Sequence, residues 1–202
     1  MDPRRRRILA TAAGIPGLVW FNGWADNSSM AAENLILSSF EDGQAKLPAG
    51  GGWRGFSDRV MGGISNAEFV QAEIAGKDSL HLTGNVTRES NGGFIQMAYY
   101  FGNNNASFDA SAYRGVAMLV YGNNEEYNVH LRTKDCRWYD ESYRFTFFAK
   151  DEWQRVQVPW DSFKGNGVAT PLDSSTLQRI AILGWMREFD ADIALAELSL
   201  YV

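Results

Sequence analysis

Few residues in this 202-residue chain could do chemistry, and they are scattered. The two histidines, His81 and His130, lie far apart on the polar faces of two expected strands. Neither falls into the His-x-His or His-Glu-x-x-His spacing that a divalent metal requires. Serines are plentiful, yet no Gly-x-Ser-x-Gly elbow occurs. The single cysteine, Cys136, sits in "TKDCRWYDES" beside Lys134 and Arg137, which favour thiolate, but no His or Asn partner accompanies it. One cysteine excludes an intrachain disulfide and any multi-cysteine metal site. The acids Asp58, Glu89, Asp135, Asp140 and Glu141 could serve only as a pair held at fixed separation across a cleft, and their sequence positions do not set one. The reading is a protein that is not an enzyme, with no catalytic residues, no cofactor and no metal.

Binding chemistry is better represented. The stretch "GGWRGFSDRVMGGISNAEF" (51–69) concentrates glycines around Trp53, an Asp58–Arg59 pair and Met61. Gly62 and Gly63 supply a sharp turn, and Asp58 and Ser65 can bond turn amides. With no Lys-Ser/Thr after the glycines and no strand-to-helix context, this is not a phosphate-binding loop. A structural turn and a binding surface both remain open for it. The strand "EYNVHLRTKD" places His130, Arg132 and Lys134 on one face, and "DCRWYDESY" then brings Trp138, Tyr139 and Tyr143 among charges. Aromatics beside Arg and Asp make sugar platforms and protein hot spots alike, and packing between sheets would use them equally well.

The elements that position these residues repeat with period two rather than 3.6. In "SLHLTGNV", Leu80, Leu82, Gly84 and Val86 share a face. In "EYNVHLRTKD", Tyr127, Val129, Leu131 and Thr133 do so. "GVAMLVYG" is apolar on both faces, as a covered central strand should be. Turn chemistry separates the strands at "SNGG", "GNNNAS", "YGNNEE" and "KGNGVATP", and the best short-helix candidate is "DSSTLQRI", capped by Asp173 or Ser174. About ten strands at this spacing predict an all-β fold, a single jelly-roll sandwich over residues 34–202.

Composition agrees. Hydrophobic residues at 45% and aromatics at 13% exclude a disordered chain, and a formal charge of −5 argues against nucleic acid as a partner. Basic charge is concentrated at the start: Arg4 to Arg7 precede an apolar stretch, Ile8 to Ala25, broken by Gly14, Pro16 and Gly17. Residues 1–31 therefore read as a targeting segment, resembling a twin-arginine signal, with small-residue cleavage sites after Ala25 and Ala31. A periplasmic or exported location is expected. The alternatives are the cytoplasmic face of the inner membrane, with association through the N-terminus, or a mitochondrion.

The motifs also carry a resemblance. "WRGFSDRVMGGIS", "LTGNVTRESNGGFIQM", "AYRGVAMLVYGNNEEYNVHLRTKD", "YRFTFFAKDEWQRVQVPWDSF" and "PLDSSTLQRIAILGW" resemble, in order, the segments of the NADH:ubiquinone oxidoreductase intermediate-associated protein 30 family, over roughly residues 36–201. That resemblance implies a galactose-binding-like β-sandwich and a non-catalytic, chaperone-like role in assembling respiratory complex I. The implied partner is a protein, an assembly intermediate. An exported carbohydrate-binding module, with a glycan partner, is the alternative. Such sandwiches often hold a structural calcium, for which Glu41, Asp42 and Glu197 are possible oxygen donors, although no metal is expected. "KDCRWYDESYRF" and "WMREFDADIALAEL" depart from the family pattern in loops. The partner-binding residues expected on this reading are Trp53, Asp58, Arg59, Met61, Gly62, Gly63, Asn91, Arg132, Lys134, Asp135 and Tyr139. The targeting reading predicts a periplasmic species beginning near Asp26 or Ala32. Fractionation of the native host with intact-mass measurement checks it, and a full-length cytoplasmic species would contradict it.

Overall fold

The computed structural model describes residues 33–202, and the expected targeting segment lies outside them. Thirteen strands run in chain order: β1 (Leu35–Glu41), β2 (Gln44–Lys46), β3 (Gly52–Ser57), β4 (Glu68–Ile74), β5 (Lys77–Val86), β6 (Phe94–Tyr100), β7 (Gly115–Tyr121), β8 (Glu125–Thr133), β9 (Ser142–Ala149), β10 (Gln154–Pro159), β11 (Lys164–Asn166), β12 (Leu177–Trp185) and β13 (Phe189–Tyr201). Period-two reading misses three of them: β2 and β11 are only three residues long, too short to alternate, and β3 lies within the glycine-rich stretch read as a loop. The helical pieces among the described residues are short 3₁₀ turns, and no described helix is long and apolar enough to cross a membrane. One such turn, Ser174–Thr176, falls within the expected short helix, with the Asp173 side chain accepting from the Ser175 amide.

Two antiparallel sheets form a sandwich. Sheet A runs β10-β7-β13, and the far edge of β13 is shared between β1, which pairs on to β2, and β5, which pairs on to β4. Sheet B runs β11-β9-β8-β12-β6-β3. The inward residues follow the predicted alternation: Tyr127, Val129, Leu131 and Thr133 of β8 and Leu80, Leu82 and Val86 of β5 are buried. In β13 the phase changes. Ile193 and Leu195, then Leu198 and Leu200, are all fully buried because a bulge between Leu195 and Glu197 resets the register. Tyr127 ties the sheets together from the middle of the core. Its hydroxyl accepts from the Asp192 amide (2.8 Å) and approaches Asn123 Oδ1 (2.7 Å).

The glycine-rich stretch becomes β3, a 3₁₀ turn (Asp58–Met61) and a loop returning to β4. Its organising group is the buried carboxylate of Asp58. This accepts from the Ser65 amide (3.0 Å) and hydroxyl (2.5 Å), and from the amides of Gly93 (2.6 Å) and Phe94 (3.2 Å) at the start of β6. The Ser65 hydroxyl also accepts from the Thr87 amide (3.0 Å), just beyond β5 in sheet A. Gly63 and Gly92 lie directly against the Asp58 carboxyl, and a Cβ on either would overlap it. The Met-Gly-Gly-x-Ser and Asn-Gly-Gly-Phe blocks are thus two halves of one joint, with glycines where the backbone must approach the acid.

An amide nitrogen in place of one Asp58 oxygen would face donors. Asp58→Asn is therefore expected to cost about 3 kcal/mol of folding stability, measured by urea unfolding. Gly63→Ala should destabilise in the same direction through steric overlap. An unchanged urea midpoint in Asp58→Asn would refute the role given to this carboxylate.

Candidate functional site

In most antiparallel sandwiches the outer face of a sheet is polar and wet. The outer face of sheet B departs from this. Phe94, Ala98, Ala181 and Leu183 form a second buried apolar cluster there, against which Phe56, Tyr100 and Trp185 pack. This cluster forms the floor of a groove of about 430 Å³.

Strand register lays the floor out in rows. The central row crosses five strands as Arg144, His130, Ala181, Ala98 and Arg54. The two alanines make the depression, since neither carries more than a methyl group. The row on one side brings Arg132, Arg179 and Tyr100 abreast. The row on the other brings Asn128, Leu183, Gln96 and Phe56 abreast. Beyond it, Trp185 pairs with Phe94 and packs its ring against His130, centroids 4.9 Å apart.

The arginines do different jobs. Arg132 donates to the carbonyls of Cys136, Trp138, Tyr139 and Glu141, at 2.8–3.0 Å, and so folds the loop between β8 and β9. The Glu141 carboxylate completes that loop by accepting from the Arg137 and Trp138 amides. Arg144 bonds the Ser142 hydroxyl and the Asp140 carbonyl while lying 4.6 Å from the Trp185 ring. Arg54 and Arg179 both stack near Tyr100, at 4.8 and 5.8 Å. Burial lowers the pKa of Arg132 and Arg144, with nearby Arg179 adding to the effect at Arg132. Both stay charged, as arginine does in proteins. None of the ion pairs among the described residues uses these four arginines.

Three polar atoms in the groove are buried without a partner: Gln96 Oε1, His130 Nε2 and Arg179 Nε. His130 is 4% exposed, not the solvated strand histidine its position on the polar face suggests. Burial, reinforced by Arg144 and Arg179, pushes its pKa down to about 3, so the imidazole is neutral at ordinary pH. His81 is on sheet A, pairing with Asp192 at 2.6 Å.

Two loops form the groove's rim. Val60 and Met61 stand on one, 66% and 52% exposed, with Ile64 exposed farther along the same loop. On the other, Tyr139 and Asp140 line the groove, and Trp138 and Tyr139 are 68% and 75% exposed. Of the residues expected to bind a partner, Met61, Arg132 and Tyr139 come together here. Gly62, exposed with φ 92°, caps the turn below Met61. Asp58 and Gly63 are corrections: both are buried in the joint, and the carboxylate's acceptor sites are occupied by the protein itself. Trp53 is a further correction, since its indole N–H donates to Ser38 and its ring packs edge-on to Tyr99 in the core. Arg59 is exposed but bonds its own loop at Ser65 and Asn66. Asn91 belongs to the 3₁₀ turn Glu89–Asn91. Lys134 and Asp135 are exposed at the end of β8, where Asp135 accepts from Thr170.

Sequence reasoning missed Gln96, Tyr100, Arg144, Arg179 and Trp185. The available signal was a set of strands, "FIQMAYY" and "QRIAILGWM", apolar on both faces, in a sheet that no helix among the described residues covers. Among the weighed acids, Asp140 alone lines the groove, and no cluster of three metal-ligating side chains occurs among the described residues. Glu197 instead pairs with Arg155 at 2.9 Å.

Because the folded pKa of His130 lies below its unfolded value, the unfolded chain takes up the proton first. The stability linked to this residue is therefore complete above about pH 6.5 and lost as pH falls toward 3. Burial raises the Asp58 carboxyl, but bonds from Ser65, Gly93 and Phe94 outweigh it and the net shift is downward. Its contribution is thus lost only as pH falls below about 3.8. Urea unfolding across pH should show stability declining from 6.5 downward, and His130→Gln should flatten the part between 6.5 and 3.8. A wild-type profile flat over that range would contradict the burial of a neutral imidazole.

Comparison with known proteins bears on this geometry. The model of the Complex I intermediate-associated protein 30 (CIA30) family matches residues 40–193. No curated protein matches the sequence significantly. Among solved structures, the family 11 carbohydrate-binding module of the cellulosomal cellulase Lic26A-Cel5E of Clostridium thermocellum superposes with a TM-score of 0.66 at 14% identity, over 85% of this chain and 95% of that one. The same organism's family 11 module in complex with a β-1,3-1,4-mixed-linked tetrasaccharide gives 0.66 at 12% identity, over 85% and 96%. A family 30 carbohydrate-binding module gives 0.55 at 14%, over 83% and 87%. At these identities the likeness is one of fold.

Proposed function

Since the chain belongs to the Complex I intermediate-associated protein 30 family, we propose that it is a non-catalytic, assembly-factor-like protein that holds a polypeptide segment of a client in the groove of sheet B. The carrying observation is the rim. Val60, Met61, Trp138 and Tyr139 are large and exposed, and they stand on two loops beside one depression. Exposed apolar side chains grouped around a cavity are stabilised by a partner that covers them, and aromatic anchors supply most of the energy in such contacts.

A glycan is the second reading. It is favoured by the unpartnered polar atoms of Gln96 and His130 beside Trp185 and Tyr100. Sugar platforms, however, need an open ring face. Arg144 stacks on Trp185, which also packs against His130 and Phe94, and both Arg54 and Arg179 lie over Tyr100. The rings here cushion guanidiniums, and the polypeptide reading is preferred.

A photo-crosslinking residue at Tyr139 should yield protein adducts in the native host, with respiratory-complex subunits identified by mass spectrometry. The same residue at Val70, exposed on β4 of sheet A, should not. Adducts equally frequent at both positions would refute the groove as the binding surface. Glycan binding tighter than millimolar, with no protein adduct at Tyr139, would transfer the site to the second reading.

A further inference from the structure

The groove is electropositive on an acidic protein. Arg132, Arg144 and Arg179 line it against one acid, Asp140, and Arg54 closes the central row, whereas the whole chain carries −5. Among the described residues none of these four guanidiniums forms an ion pair with a carboxylate, although Asp140 acts on Arg144 and Glu141 on Arg132 from farther off. Their forks match carboxylate geometry, and charge-assisted hydrogen bonds are about twice as strong as neutral ones. The floor adds polar atoms already taken out of water: Arg179 Nε donates, and His130 Nε2 donates or accepts according to tautomer. A buried donor without a partner is destabilising, and a ligand's acceptor relieves that cost.

We propose that the groove is a carboxylate seat, in which an acidic side chain of the client segment lies over Ala98 and Ala181 between Arg54, Arg144 and Arg179. This rests on the reading of the groove as a polypeptide site and adds the chemistry of the segment: one or two Asp or Glu residues flanked by apolar residues. The acid meets the arginines, and the apolar neighbours meet Val60, Met61 and Tyr139 on the rim. A long polyanion is disfavoured, because the net negative charge of the rest of the surface repels it. Tyr100 and Trp185 stack on the guanidiniums and fix their planes, so the forks are oriented before the ligand arrives.

The roles of the arginines separate in a test. Arg132 and Arg144 also hold the loop and strand around them. Arg179 makes one long contact, to the Tyr100 hydroxyl at 3.5 Å, and Arg54 is exposed. The experiment selects a random heptapeptide display library on the full chain, with the Met61→Ala/Tyr139→Ala variant as the control surface. Selected peptides should be enriched in Asp and Glu flanked by apolar residues. A selected peptide should bind Arg179→Gln about tenfold more weakly. Its Glu→Gln version should lose a similar factor on the wild type and little more on Arg179→Gln. Unfolding midpoints establish that the variant is folded, and the Glu→Gln peptide tests the seat without altering the protein.

Enrichment of apolar peptides with no acidic preference would overturn the carboxylate seat and leave the polypeptide groove standing. No enrichment over the control surface would overturn both. Retention of oligogalacturonate with no peptide enrichment would also overturn both, since the acidic ligand would then be a glycan.

Discussion

The Asp58 carboxylate is the constraint on which the surroundings of the groove depend. One buried acid joins three segments distant in sequence: the loop that returns from β3, the entry to β6 and, through Ser65, the end of β5. Burying a carboxylate is costly unless its lone pairs are filled. Four donors do this, three of them backbone amides that demand close approach. One glycine of each Gly-Gly pair, Gly63 and Gly92, follows from that requirement. The same joint lifts Val60 and Met61 onto the rim, because the 3₁₀ turn that carries them begins at Asp58 itself. Packing, motif and groove rim are linked here through one side chain.

A second constraint acts on sheet B. Its inner face must meet sheet A, so Ile95, Met97 and Tyr99 point inward from β6. Among the described residues no helix layer covers its outer face, yet Phe94, Ala98 and Leu183 are buried there as well. They are covered by side chains of their own sheet: Trp185 and Tyr100 fold across the strands, and arginines lie on them in turn. A surface built this way is apolar beneath and cationic above. It leaves a depression where Ala98 and Ala181 have nothing to fold over.

Much of the fold was legible because alternation survives wherever one face is inside and the other outside, as in β5 and β8. The phase reset in β13 was not, since a bulge leaves no local mark when both sides of it are apolar. At the site, the glycine-rich loop could be read as a turn, but the partners of Asp58 at Gly93 and Phe94 lie 35 and 36 residues away and no local pattern connects them. Trp53 is expected to meet a partner, yet it is half-buried against the core, where its indole N–H is taken by Ser38, a residue 15 positions away that no local pattern connects to it. Arg144 and Arg179 passed unnoticed for a related reason. Each is an ordinary strand residue in sequence, and only the pairing of β9, β8, β12, β6 and β3 sets them in adjacent rows.

The loop between β8 and β9 shows how an exposed run of charged and aromatic residues is held in place. Ordering such a run costs conformational entropy that exposed side chains do not recover. Arg132 offsets this by donating to four of the loop's carbonyls from the strand beneath, and Glu141 binds two of its amides. The backbone is thereby fixed from below while Trp138 and Tyr139 stay outside. A rim aromatic held by a rigid backbone loses little freedom on binding, so more of its contact energy reaches the complex. The arginine's charge is not consumed in the process, because carbonyls solvate a guanidinium without neutralising it. Arg132 therefore serves loop and groove at once, and the loop stays anchored to the sheet while its aromatics remain exposed.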